Sequence, residues 1–247
     1  MCLLIGTNEG VQIPKKHLQN AYKCNRDGVG YSFINDGELI TKKFRNEKKF
    51  LKQYQLDFKN NLDSKFIVHF RLATDGTNKG VTNVHPFNVN KNLVFAHNGI
   101  ISNVGDDKIL SDTQLFNNKI LKNMQTDFLS YKANRKLIAS FIGSSKLVFL
   151  NTENKMTIIN EHLGSWLDGV WYSNKSYESK NKFGYNSVFG CNVNQYSYSN
   201  DWYDDDYCDV CDKQSKNISF DFDSELMVCD KCFKYLHEPQ KQTKFNF

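Results

Sequence analysis

The chain has no long apolar run. Its longest apolar stretches reach about half a dozen residues, against the roughly 20 a helix needs to cross a bilayer, so a helical membrane span is not expected. The N-terminus lacks the charged and apolar segments of a secretion signal. The expected location is therefore cytoplasmic, where thiols stay reduced, and the seven cysteines read as thiols rather than as a disulfide set. No large excess of one charge is present. The 32 Lys and Arg against 27 Asp and Glu leave +5, which permits an acidic partner without demanding one. No self-similarity recurs at a period of about 20–50 residues, which argues against a solenoid or array. Proline is scarce, at three residues, while Lys, Asn, Ile, Phe and Tyr are abundant. That bias concerns codons and points to an AT-rich genome, such as that of a phage or a low-GC bacterium. In a viral protein the expected compartment is the host cytoplasm.

What is present supports a real core. Of 247 residues 40% are hydrophobic and 14% aromatic, enough for one large domain or a domain with an appendage. Short apolar strands are expected at 3–5, 31–34, 66–70, 93–96, 146–150, 156–159 and 169–172. Phe50, Leu51, Tyr54, Phe58 and Leu62 recur at helical spacing, as do Leu115, Phe116, Ile120, Leu121 and Met124. Ser111 with Gln114 forms a capping box ahead of the second set. Strands mixed with few helices point to an α+β fold. After about Ser173 the composition turns to Ser, Asn, Tyr and Lys, ending in the acid patch of Asp201 and Asp204 to Asp206.

Cys2 directly follows Met1. Methionine aminopeptidases remove Met before a small residue such as Cys. Removal would leave one residue with both a thiol and a free α-amine. The thiolate is a strong nucleophile. An α-amine has a reference pKa of about 7.7–8.0 and can act as its base. Leu3, Leu4 and Ile5 then read as a buried strand that fixes Cys2. Three further sites each carry two readings. Arg71, at a strand end, is a surface ion-pair partner or a bidentate carboxylate binder. Asn98-Gly99 after a strand is a tight turn or an oxyanion hole, built from a side-chain amide and a backbone N–H. Asp112 is a helix-start carboxylate or a holder of a substrate ammonium.

The order of these signals is more specific than any one of them. MCLLIG, NRDGVGYS, HFRLATDG, HPF, FAHNG and SDT follow one another at compact spacing. The series resembles the class II glutamine amidotransferases, which carry an N-terminal nucleophile (Ntn), over roughly residues 2–173. The resemblance implies an Ntn-hydrolase fold, a four-layer αββα sandwich of antiparallel sheets. It also implies roles. Cys2 would attack the side-chain amide of glutamine, and Asn98 with the Gly99 N–H would hold the oxyanion. Arg71 would bind the α-carboxylate and Asp112 the α-ammonium. Thr74 and Asp75 would border the pocket, and His85 would act positionally. Leu72 stands where sugar-amidating members often have Trp, and Asp75 where they often have His, which argues against an aminosugar synthase. After Tyr172 too little sequence remains for a synthetase domain. The ammonia is therefore expected to go to a separate acceptor protein or to be released.

Cys208 and Cys211 form one CxxC pair and, after 17 intervening residues, Cys229 and Cys232 form a second. This is zinc-ribbon spacing, and four thiolates suit a structural Zn²⁺. A thiol-redox pair is the alternative. Ile218, Phe220 and Phe222, then Leu226 to Val228, read as a hairpin between the knuckles. So small a module buries little apolar surface alone, and metal binding would supply much of its folding energy. Lysines in the tail favour a nucleic-acid partner and the acid patch opposes one, so a protein partner is expected. The chain thus reads as an Ntn glutamine amidotransferase type-2 domain over 1–173, a polar connector over 174–207, and a zinc-ribbon-like four-cysteine module with tail over 208–247. The competing readings are a related amide hydrolase and a non-catalytic Ntn-fold module that docks through the ribbon.

Overall fold

The computed structural model describes residues 2–72, 81–107, 110–178, 208, 210, 211, 215, 217–221 and 226–237. They belong to two units.

The larger unit contains two antiparallel sheets. The first has six strands: β1 (Leu3–Thr7), β2 (Val29–Asn35), β3 (Glu38–Phe44), β4 (Ile67–Phe70), β9 (Ser165–Leu167) and β10 (Val170–Tyr172), in the order β3-β2-β4-β1-β10-β9. The second runs β5 (Phe87–Asn90), β6 (Leu93–Asn98), β7 (Lys146–Asn151) and β8 (Met156–Ile159) in that order. Period-2 alternation assigns each strand two apolar faces. In β1, Leu3 and Ile5 join one core and Leu4 another. In β6, Leu93 and Phe95 face one core while Val94 and Ala96 face the core shared with Leu4.

The helices complete the layers. Leu18 and Ala21 of α1 (Lys15–Cys24) and Phe50, Leu51, Tyr54 and Phe58 of α2 (Glu47–Asn60) pack in the core of Leu3 and Ile5. Leu115 and Phe116 of α3 (Asp112–Lys119) and Ile138 and Ile142 of α4 (Lys132–Ile142) pack in the core of Phe95. Helices, sheet, sheet and helices therefore stack in that sequence, with Leu4, Val94, Val148 and Trp171 fully or almost fully buried between the sheets.

The seven apolar strands expected from the sequence are present, and so is the Ser111–Gln114 capping box; β3, β5 and β9 were not anticipated. The second helix is shorter than its apolar spacing suggested. It ends at Lys119, and Leu121–Asn123 form a separate 3₁₀ turn. Helices α1 and α4 were not anticipated, because each buries only two residues on the sheet beside it. Cys24, at the end of α1, is disulfide-bonded, contrary to the expectation of free thiols. Beyond Ser173 the chain still packs: Tyr177 is buried and stacks on Tyr172 at 3.8 Å. No helix among the described residues is long and apolar enough to cross a membrane.

The smaller unit contains the hairpin of β11 (Ile218–Asp221) and β12 (Leu226–Cys229), with Ile218 opposite Cys229. Helix α5 (Asp230–His237), which begins directly after Cys229, was not expected.

Candidate active site and cysteine cluster

Cys2 sits at the end of the central strand of the larger sheet. β1 pairs with β4 on one side, Leu3 opposite Phe70, and this brings Cys2 beside Arg71 and Leu72. The Leu72 N–H donates to Cys2 Sγ at 3.3 Å, and the thiol lies 3.5 Å from the Leu72 carbonyl. Burial pushes the Cys2 thiol up. The Leu72 N–H opposes this first, and the Arg71 guanidinium also acts against it.

Arg71 is buried. Its N–H donates to the Gly28 carbonyl at 2.8 Å, and its own carbonyl accepts from Asp27 N–H at 3.1 Å. The NRDG segment therefore lies against Arg71, although the two are more than 40 positions apart in sequence. Burial lowers the Arg71 pKa, and the charges of Asp27 and Cys2 counter that.

On the other side β1 pairs with β10. Ser173 continues that ladder, donating its N–H to the Leu4 carbonyl at 2.9 Å. Its hydroxyl accepts the Leu4 N–H at 2.9 Å. Asn174 Nδ2 donates to the Cys2 carbonyl at 2.7 Å. The same Ser173 hydroxyl meets Asn98 Nδ2 at 2.7 Å. Asn98 ends β6 in the opposite sheet, so one serine joins the strand of Cys2 to the candidate oxyanion residue.

The turn after Asn98 is tightly held. Gly99 has φ +143°, a conformation that side chains rarely adopt, and a Cβ there would lie 2.2 Å from Ser145 Oγ. That Ser145 hydroxyl donates to the Ile100 carbonyl at 3.0 Å. Asp112 Oδ2 accepts the Ile101 N–H at 2.8 Å, and Oδ1 accepts the Thr113 N–H at 2.7 Å. Asp112 therefore caps its own helix start and anchors the Asn98-Gly99 loop.

Three buried imidazoles lie behind the site. The His69 and His85 rings are 4.1 Å apart, and those of His85 and His97 are 6.2 Å apart. The His97 N–H donates to His85 Nδ1 at 3.2 Å, so His85 supports the residue preceding Asn98. Burial lowers all three pKa values, to about 3 for His69, to about 4 for His97 and well below the usual range for His85.

Cys2, Arg71, His85, Asn98, Gly99 and Asp112 are thus tied into one neighbourhood by the two sheets and the loops at their ends. Thr74 and Asp75 lie outside the described residues. Ser173, Asn174 and Ser145 belong to none of the motifs of the sequence. Their one visible signal was polar residues placed directly against the ends of apolar strands.

In the smaller unit one sulfur from each of Cys208, Cys211, Cys229 and Cys232 lies within 4.8 Å of the others. Cys211 and Cys229 Sγ are 3.9 Å apart. A tetrahedron of about 2.3 Å Zn–S bonds has edges of about 3.8 Å, so the four residues fit the metal. Cys208 and Val228 are fully buried beside it, and Cys232 almost so. Hydrogen bonding, first from the Cys232 backbone, pushes the Cys229 thiol down, while burial pushes the Cys232 thiol up.

No protein-family model matches the chain, and no curated protein matches it either. Among solved structures it is similar to the glutamine phosphoribosylpyrophosphate (PRPP) amidotransferase of B. subtilis, complexed with ADP and GMP. The identity is 16% and the TM-score 0.47, over 70% of this chain and 41% of that one. The chain thus spans less than half the length of that protein.

Proposed function

We propose that the chain is a glutamine amide hydrolase of the Ntn type, belonging with the class II amidotransferases. One observation carries the reading: Cys2, Arg71 and Asn98, far apart in sequence, are brought to the adjoining ends of two stacked sheets.

Removal of Met1 leaves Cys2 with a free α-amine. The amine takes the thiol proton, and sulfur adds to the side-chain amide carbon of glutamine. The amide oxygen becomes an oxyanion, held by Asn98 Nδ2 and the Gly99 N–H. The α-amine returns its proton to the leaving nitrogen, the C–N bond breaks and ammonia departs. Water then opens the glutamyl thioester to give glutamate and restore the thiol.

Arg71 grips the substrate α-carboxylate and Asp112 the α-ammonium. An amide lacking either charge would forgo one of these two contacts, and discrimination would be strongest for the α-carboxylate, because Arg71 is buried. Thr74 and Asp75 border the pocket, and His85 steadies the strand of Asn98. Ammonia passes to an acceptor on a separate protein. The four cysteines hold one structural Zn²⁺, and the module they build docks to a protein partner. The protein works in the cytoplasm.

The test is glutamate release from glutamine by the purified full chain, with mass spectrometry of its N-terminus. Cys2→Ala should abolish turnover, and the mature chain should begin at Cys2. Retained Met1 together with no turnover would refute the reading.

A further inference from the structure

Ser173 and Asn98 are in conflict beside the proposed reacting centre: among the described residues the serine hydrogen has no acceptor and the Asn98 Oδ1 no donor. A hydroxyl has one hydrogen to give and two lone pairs to receive with. Ser173 Oγ receives the Leu4 N–H at 2.9 Å and lies 2.7 Å from Asn98 Nδ2, so among the described residues both neighbours approach it as donors. Asn98 is 2% exposed, and among the described residues its Oδ1 has no hydrogen-bond partner.

Turning the carboxamide over resolves the conflict, because its oxygen and nitrogen occupy nearly the same space. Ser173 then accepts from Leu4 and donates its O–H to Asn98 Oδ1. Asn98 Nδ2 becomes the group left over. A free donor is what a substrate carbonyl satisfies, most strongly as its oxygen gains charge.

We propose that Ser173 is a positioning residue that orients the Asn98 carboxamide, so that Nδ2 faces the reacting carbonyl of the substrate. This deepens the glutaminase reading and rests on it. Ser173 suits the task because its backbone is fixed by the N–H···O bond to Leu4 at 2.9 Å and the residue is 2% exposed, so the hydroxyl has little freedom to turn away. Leu4 is two residues from the nucleophile, so the same hydroxyl keeps the distance between Cys2 and Asn98 constant.

Two measurements on the full chain test this. The first is the kinetics of Ser173→Ala and Ser173→Thr. Ser173→Ala should lower kcat about 10- to 100-fold, less than the roughly 100- to 1,000-fold loss of a whole oxyanion donor, with KM within about twofold. Ser173→Thr, which keeps the hydroxyl, should recover most of the rate. Alkylation of Cys2 by iodoacetamide, which needs no oxyanion hole, should be equally fast in wild type and Ser173→Ala. An unchanged kcat in Ser173→Ala overturns the proposal, as does a loss carried by KM. The second is neutron diffraction of the deuterated wild type, which places the hydrogens whether or not the protein turns over. A Ser173 deuteron on the Asn98 Oδ1 line supports the proposal, and amide deuterons on the Ser173 Oγ line overturn it. An inactive wild type that retains Met1, with the Ser173 deuteron on Oδ1, would defeat the glutaminase reading and leave this orientation standing.

Discussion

Single residues at this site are held by backbone demands as much as by chemistry. Gly99 shows this most clearly, since both its φ of +143° and its 2.2 Å approach to Ser145 Oγ exclude a side chain. Gly99→Ala should therefore cost about 1–3 kcal/mol through strain. It should also displace the N–H proposed for the oxyanion, so kcat should fall by more than the stability loss alone explains. Thermal unfolding and steady-state kinetics on the same preparation check both. A variant as stable and active as wild type would show that the loop does not need the glycine. The structure revises the surface reading of Arg71 and extends the helix-start reading of Asp112. Arg71 is buried, not a surface cation. Asp112 is both a cap and a loop anchor, since its two oxygens bond Thr113 and Ile101.

At the scale of elements, capping places a functional carboxylate. Ser111 receives the Gln114 N–H at 3.3 Å and Gln114 Oε1 receives the Ser111 N–H at 2.9 Å, closing the box that starts α3. Asp112 is the first residue of that helix, so the box sets its direction. Ser111→Ala should cost about 1 kcal/mol in denaturant unfolding. By loosening Asp112 it should also raise KM for glutamine more than it lowers kcat. No change in either would separate the cap from the site. Helix α2 was legible because Phe50, Leu51, Tyr54 and Phe58 are buried on one face of it, although Leu62, read with them, lies beyond Asn60 and is exposed; α1 and α4 bury two each and left no stripe to read.

At the scale of the molecule, two features make measurable promises. His69, His85 and His97 are buried as neutral rings, with Lys43 and Arg71 opposing protonation of His69 and His85 and Asp112 partly favouring that of His97. Their folded pKa values lie below the unfolded value near 6.5. The unfolded chain therefore binds more protons once pH drops under 6.5, and stability falls as pH falls. With His69 at about 3 and His97 at about 4, each should remove roughly 2 kcal/mol by pH 5. Denaturant midpoints between pH 7.5 and 5 would show it, and a flat profile would contradict neutral burial. The second feature is the cysteine cluster. Metal analysis should find zinc, and a strong chelator should make the buried Cys208 and Cys232 open to alkylation. Chelation that leaves them protected would mean that the fold of this unit does not depend on metal.

The sequence by itself determined the alternation that builds two-faced strands, the spacing of the paired CxxC knuckles, the capping box, and a Cys2, Arg71, Asn98, Asp112 series ordered along the chain. These are local facts, carried by residue type and short spacing. Only the tertiary structure decided which of them meet. Strand pairing sets Leu3 against Phe70, Leu4 against Ser173, and Asn98 across from both through a serine hydroxyl. No periodicity encodes such contacts, because they arise between strands separated by 60 to 170 positions when two sheets stack to bury the side chains between them.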